Sequence, residues 1–174
     1  MSVRAPFRSV IRNPRGVATI EFALWSVLIF GGLIPGLEIA NYLIASNRLS
    51  AAMGQASLLV YNLRASETID AVRLGAYINA AAALPGAAVT TTIVCNGGAQ
   101  SCAVPVANRQ CSCVGMGLPT SYVVASSCSA TCPGGATPGF YLTTAARYRY
   151  AAAIVGDPWL DGRILTRSVT VRLQ

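Results

Sequence analysis

Between residues 17 and 45 the chain reads VATIEFALWSVLIFGGLIPGLEIANYLIA, an apolar run carrying only two charges, Glu21 and Glu38, and none from Phe22 to Leu37. A hydrocarbon layer about 30 Å thick is crossed by roughly 20 apolar helical residues. The run from Val17 past Ile34 supplies them if Glu21 sits near one end. The pattern predicts a single membrane-spanning helix. Its beat continues beyond the span: Leu37, Ala40, Ile44, Leu49, Ala52, Met53, Ala56, Leu59 and Leu63 recur on one expected face, with Asn41, Ser46, Asn47, Arg48 and Gln55 elsewhere. At the α-helical rise, Val17 to Leu63 would reach roughly 70 Å, so the helix should project from the bilayer. Gly31, Gly32, Pro35 and Gly36 mark an expected kink or melted turn. The small residues Ala40, Ala45, Ala51, Ala52, Gly54 and Ala56 permit close approach of another helix or of the chain's own distal domain.

Ser66 is the expected cap of a second helix from Glu67 to about Ala83, with Glu67 and Asp70 in its first turn and Leu84-Pro85-Gly86 ending it. From Ala88 the period becomes two. Val89–Val94, Ser121–Val124, Phe140–Ile154 and a stretch from Ile164 to Leu173 read as strands, the two long ones pairing antiparallel across Gly156-Asp157-Pro158 and Asp161-Gly162. Arg147 and Arg149 alternate with Tyr148 and Tyr150, which places both guanidinia on one face, read as solvent-facing with an anion-binding patch as the rival. The predicted class is α+β: a long N-terminal membrane-spanning helix, then a small antiparallel β-sheet head with a cysteine-rich loop insert. The expected divisions are a basic leader 1–16, a transmembrane and projecting helix 17–64, and a head 65–174 with the insert at 95–132.

Composition sharpens this picture. The 174 residues are 53% hydrophobic and 11% charged, against about 25% charged in ordinary soluble domains. All 13 cations are arginine, there are 6 acids, and histidine is absent. Ser–His and Cys–His nucleophile pairs and His-ligated metals are therefore impossible, and no enzymatic activity, cofactor or metal is expected. Of the net charge of +7, four arginines (Arg4, Arg8, Arg12 and Arg15) precede the apolar run, and the others are dispersed. Phosphate binding needs cations clustered on a folded face, so no nucleic-acid partner is expected.

The same arginines orient the span with its N-terminus in the cytoplasm, leaving the head periplasmic on the far side of a bacterial inner membrane. Cys95, Cys102, Cys111, Cys113, Cys128 and Cys132 agree with that oxidising location. Six cysteines allow fifteen pairings, and Cys111 and Cys113 are too close to bond each other without strain. Zinc is the weaker reading because no Cys-x2-Cys pair occurs, and Cys128-x3-Cys132 is not the thiol-oxidoreductase spacing. A secretory signal competes with the span, but Glu21 stands near the start of its apolar segment and no Ala-x-Ala follows between Val17 and Ser50.

A carboxylate in hydrocarbon costs about 3 kcal/mol even on lenient scales, so Glu21 needs a counter-charge or a place at headgroup depth. Cleavage after Gly16 would give Val17 a free ammonium one helical turn from Glu21, and a neighbouring subunit's terminus would then neutralise the acid. Arg15-Gly16, four residues, then Glu21-Phe22 and an apolar run resembles the class III signal of type IV pilins and pseudopilins. The string Gly16-Val17-Ala18-Thr19-Ile20-Glu21-Phe22-Ala23-Leu24 with the second acid Glu38 is similar to TadE-like proteins of tight-adherence (Flp) pilus systems. Tyr148-Arg149-Tyr150 and Ser168-Val169-Thr170-Val171-Arg172-Leu173 extend the likeness. The chain departs from the pattern at Val27, where the family commonly has Pro, and at Val17, where many pilins have Phe.

The resemblance implies a minor pseudopilin-like subunit: cut by a prepilin peptidase between Gly16 and Val17, held in the lipid bilayer, and assembled through Glu21 and Phe22 with other pilin or pseudopilin subunits and the pilus assembly platform. Glu38 is the second expected contact. The alternative expectation is an uncleaved single-pass anchor whose disulfide-stabilised periplasmic head binds an envelope partner.

Overall fold

The computed structural model describes residues 14–65, 68–115, 117, 120–153 and 159–174. Most of the expected leader, with Arg4, Arg8 and Arg12, lies outside the described residues, as do Ser66, Glu67, Pro119, Ile154 and Gly156-Asp157-Pro158. Two compact units are present, 1–41 and 42–174.

The first element, α1, is a helix of 49 residues, Pro14–Asn62, unbroken through Pro35. The expected melted turn at Gly31–Gly36 is not there. Pro35 removes one amide donor, but its flanking residues are uncharged helix formers and glycines that accept helical φ/ψ, so the ladder resumes. Beyond residue 41, the buried face of α1 is Ala45, Ser46, Leu49, Ala52, Met53, Ala56 and Val60, with Tyr42 and Leu59 half-buried. This corrects the expected face, because Ala40 is exposed, and Ile44 and Leu63 are 50% and 39% exposed. The steps 42, 45, 49, 52, 56 alternate three and four, which keeps one seam in place along several turns. Leu49, Ala52, Met53, Ala56 and half-buried Leu59 lie where the pattern put them, while Ala45, Ser46 and Val60 take the places expected of Ile44 and Leu63.

Helix α2 covers Ala71–Ala82 rather than beginning at Glu67. Asp70 caps it: its carboxylate accepts the amides of Val72 at 2.9 Å and Arg73 at 3.3 Å, satisfying donors that a helix start leaves open. Leu74, Ile78 and Ala82 form its buried face. It ends at Ala83, whose left-handed φ of 45° returns an amide to the Asn79 carbonyl.

The strands are β1 Thr90–Cys95, β2 Ser112–Gly115, β3 Ser121–Val124, β4 Tyr141–Arg149 and β5 Ile164–Arg172. β4 is the centre of a three-stranded antiparallel sheet in the order β1-β4-β5. It stops short of the expected Phe140–Ile154 because Tyr150 already turns: its amide bonds the Arg163 carbonyl and its carbonyl takes the Gly162 amide, with Gly162 at φ 73°. β4 and β5 pair from Tyr141↔Arg172 to Arg149↔Ile164, the antiparallel hairpin expected. β2 and β3 form a separate antiparallel ribbon inside the cysteine-rich insert. β2 was not expected, since Ser-Cys-Val-Gly has neither alternation nor length.

Leu142, Thr144, Ala146, Tyr148 and Leu165 face the core with α2 and residues 45–60 of α1. Arg167 ties the layers together, donating from Nε to Ser50 Oγ at 2.9 Å and from Nη2 to Ser46 Oγ at 2.7 Å. The architecture is a long N-terminal apolar helix followed by small antiparallel sheets stapled by three disulfides, in the α+β class.

Candidate functional site

The residues singled out for processing and assembly lie in the first turns of α1. Gly16 and Val17 stand within three residues of its start, and Glu21 follows Val17 at i+4, on the same face one turn along. Glu21 is exposed, Val17 is 52% exposed and Phe22 is 73% exposed. From Val17 to Ile39 every large apolar side chain is solvent-facing. Gly16, Gly31, Gly32 and Gly36 have open space where a side chain would be. This is a full helical surface with no apolar cover of its own, long and apolar enough to cross a bilayer.

Glu38 is not brought together with Glu21. It lies 17 residues further along the helix, roughly 25 Å at the helical rise. It is buried, and it is partnered within the chain.

The six cysteines are all paired: Cys95–Cys102, Cys111–Cys128 and Cys113–Cys132, with Cα separations of 5.3, 5.1 and 5.6 Å. Cys111 and Cys113 have different partners, as their spacing required. Cys128 and Cys132 each bond elsewhere, so they form no thiol pair. Among the described residues no cluster of three or more acids or cysteines stands ready for a metal ion.

Two residues organise this lobe that the sequence reading passed over. Asn96, 1% exposed, donates from Nδ2 to the Gln110 carbonyl at 2.7 Å and accepts the Tyr141 amide on Oδ1 at 2.9 Å. Arg109 is buried, with Nη1 bonded to the Arg64 carbonyl at 2.8 Å and its guanidinium 5.3 Å from the Phe140 ring centroid. Burial lowers its pKa from the ordinary arginine value. The available signal was isolation: from Leu74 to Ala146 Arg109 is the only charged residue.

A groove of about 730 Å³ runs beside β1, lined by 68–72, 93–95, 98 and 100–103. Its one acid, Asp70, caps α2. A second, of about 560 Å³, lies between the β2–β3 ribbon and 130–137 and has no charged lining residue. Arg147 and Arg149 are exposed on the outer face of β4, the solvent face expected of them. No protein-family model, curated protein or solved structure matches this chain.

Proposed function

We propose that this chain is a minor pilin or pseudopilin-like subunit of a tight-adherence pilus assembly machine, similar to TadE. On this reading it enters the inner membrane as a precursor with its N-terminus in the cytoplasm, and a prepilin peptidase cuts between Gly16 and Val17. The new Val17 ammonium and Glu21 of neighbouring subunits then pair in the bilayer, and Phe22 packs at the same level. The head stands in the periplasm, where its cysteines oxidise. Other pilin or pseudopilin subunits and the assembly platform are the partners; neither nucleic acid nor a cofactor takes part.

The observation that supports this most is the uncovered apolar surface of α1 from Val17 to Ile39, interrupted by the exposed carboxylate of Glu21. Lipid alone accounts for the apolar side chains. It does not account for an acid placed one turn from Val17, whereas a cleaved terminus supplies the opposite charge at the matching height.

Mass spectrometry and N-terminal sequencing of the membrane-extracted protein test the reading. Val17 as the first residue is the expected result. A leader still attached overturns the pilus assignment and leaves an uncleaved single-pass anchor with a disulfide-stabilised binding head.

A further inference from the structure

Beyond α1, two of the large apolar side chains exposed on the head stand at one end of the sheet. Trp159 is 76% exposed and Ile164, the first residue of β5, is 66% exposed. Ile164 pairs with Arg149 across the ladder. The Arg149 guanidinium lies over the turn at Gly162, where an added Cβ would stand 3.2 Å from Nη2. Arg163 reaches back through Nε to the Trp159 carbonyl at 2.9 Å. Exposed Trp159 and Ile164 and the Arg149 and Arg163 guanidinia thus belong to the same end of the sheet. The acid described beside them, Asp161, accepts the Ala152 amide at 3.1 Å and sits among a majority of cations.

The helix tells which end this is. Tyr42 meets Tyr150 edge-on, ring centroids 5.3 Å apart, and Tyr150 closes the turn carrying Gly162 and Arg163. At the other end of β4, Arg109 stands against Phe140 and bonds the Arg64 carbonyl. Arg167 touches Ser46 and Ser50 in between. The sheet thus runs along α1 from residue 42 at the Trp159 end towards residue 64. A span beginning at Val17 uses up the hydrocarbon thickness about 20 residues on, and Tyr42 follows within about two helical turns. The Trp159 end is the end at which the chain enters the head from the apolar segment.

Indole rings favour the headgroup layer, where the ring is half in hydrocarbon and its N–H meets water. Arginine adds attraction to anionic lipid worth about fivefold per residue in a bound-to-free ratio. We propose that this end of the head rests on the bilayer that holds α1, with Trp159 and Ile164 at headgroup depth and Arg149 and Arg163 on anionic lipid phosphates. The proposal rests on the membrane anchoring of α1, and on neither cleavage nor pilus membership.

The test uses the full chain, one copy per lipid nanodisc, in phosphatidylcholine alone and mixed with phosphatidylglycerol. With two tryptophans in the chain, Trp25→Phe leaves Trp159 as sole reporter and Trp159→Phe leaves Trp25. Lipids brominated high on the acyl chain should quench Trp159, more strongly in the anionic discs. Adding Arg149→Gln and Arg163→Gln should cut the docked-to-undocked ratio by about 25-fold and restore the emission. Trp159 unquenched in both lipids while deep bromines quench Trp25 overturns the proposal and leaves the anchor standing. Trp25 unquenched overturns the anchor itself. Quenching of Trp159 that ignores both phosphatidylglycerol and the arginine changes overturns the roles given to Arg149 and Arg163.

Discussion

Asn96 Oδ1 accepts the Tyr141 amide at 2.9 Å, so a side chain adds the last rung of the β1–β4 ladder. The ladder ends at Cys95↔Leu142, and Asn96 itself turns away at φ 46° into the disulfide loop. Its carboxamide stands in for the backbone group that left, and its Nδ2 holds Gln110 from the far side of the insert. One residue thus fastens the lobe to the central strand.

Asn96→Ala leaves both the Tyr141 amide and the Gln110 carbonyl without this partner, at about 1–3 kcal/mol each, and places alanine in left-handed backbone. Asn96→Gly relieves the backbone, worth about 1 kcal/mol, without restoring either bond. Both variants should lose at least about 2 kcal/mol in urea unfolding of the disulfide-intact chain in detergent, alanine more than glycine. A glycine variant as stable as the parent would show that the backbone, and not the carboxamide, matters here.

The three bridges make a second prediction. Cys95–Cys102 closes a short loop worth about 2.5 kcal/mol by chain entropy, and each of the two longer loops about 3 kcal/mol. The loops 111–128 and 113–132 overlap, so removing one leaves the other partly constraining the same segment. Replacing both pairs with serine should therefore cost more than the sum of the two separate losses, because each single loss is cushioned by the bridge that remains. Non-reduced intact mass should lie six hydrogens below the reduced mass, and any smaller difference contradicts full pairing.

What was legible followed from pattern strength. The long apolar helix, the β4–β5 hairpin, β3 and the disulfide-bonded cysteines rest on long periodicities or on chemistry that tolerates few alternatives. Along the seam of α1, Leu49, Ala52, Met53 and Ala56 were legible, whereas Ile44 was read in place of Ala45 and Ser46, which carry little apolar signal per residue. The start of α2 went to Ser66, whereas Asp70 binds both Val72 and Arg73 amides. β2 and Asn96 were hidden because their geometry is set by disulfides and by a partner 45 residues distant. Trp159 was passed over because a lone aromatic after a turn has no periodic neighbour.

Tyr148 gives the head a pH response. Its hydroxyl donates to the Pro85 carbonyl at 2.6 Å, and burial raises its pKa above the ordinary 10.0. The folded state holds this proton more tightly than the unfolded chain, so the contribution is complete below about pH 10 and is lost as pH rises through the folded value. Unfolding free energy should therefore fall with alkaline pH. Tyr148→Phe should lose about 1 kcal/mol at neutral pH and show a shallower alkaline decline. Parallel declines in the two proteins would assign the slope elsewhere.

Glu21 separates charge pairing from mere tolerance of an acid. Placing a carboxylate in the span costs about 2.5–3.5 kcal/mol, so Glu21→Ala should insert at least as well as the parent. On the proposed reading the bond to be cut lies between Gly16 and Val17, so the variant should also be processed normally. Its failure is expected at the next step, as a mature protein in the membrane that does not enter the pilus apparatus. Glu21→Gln keeps the hydrogen-bonding shape without the charge and should fail alike, because an ammonium needs a counter-ion more than a dipole. Quantifying each variant in membranes and in sheared pili reads this directly. Normal incorporation of Glu21→Gln would remove the ion pair from the assembly step, and normal incorporation of both variants would remove Glu21.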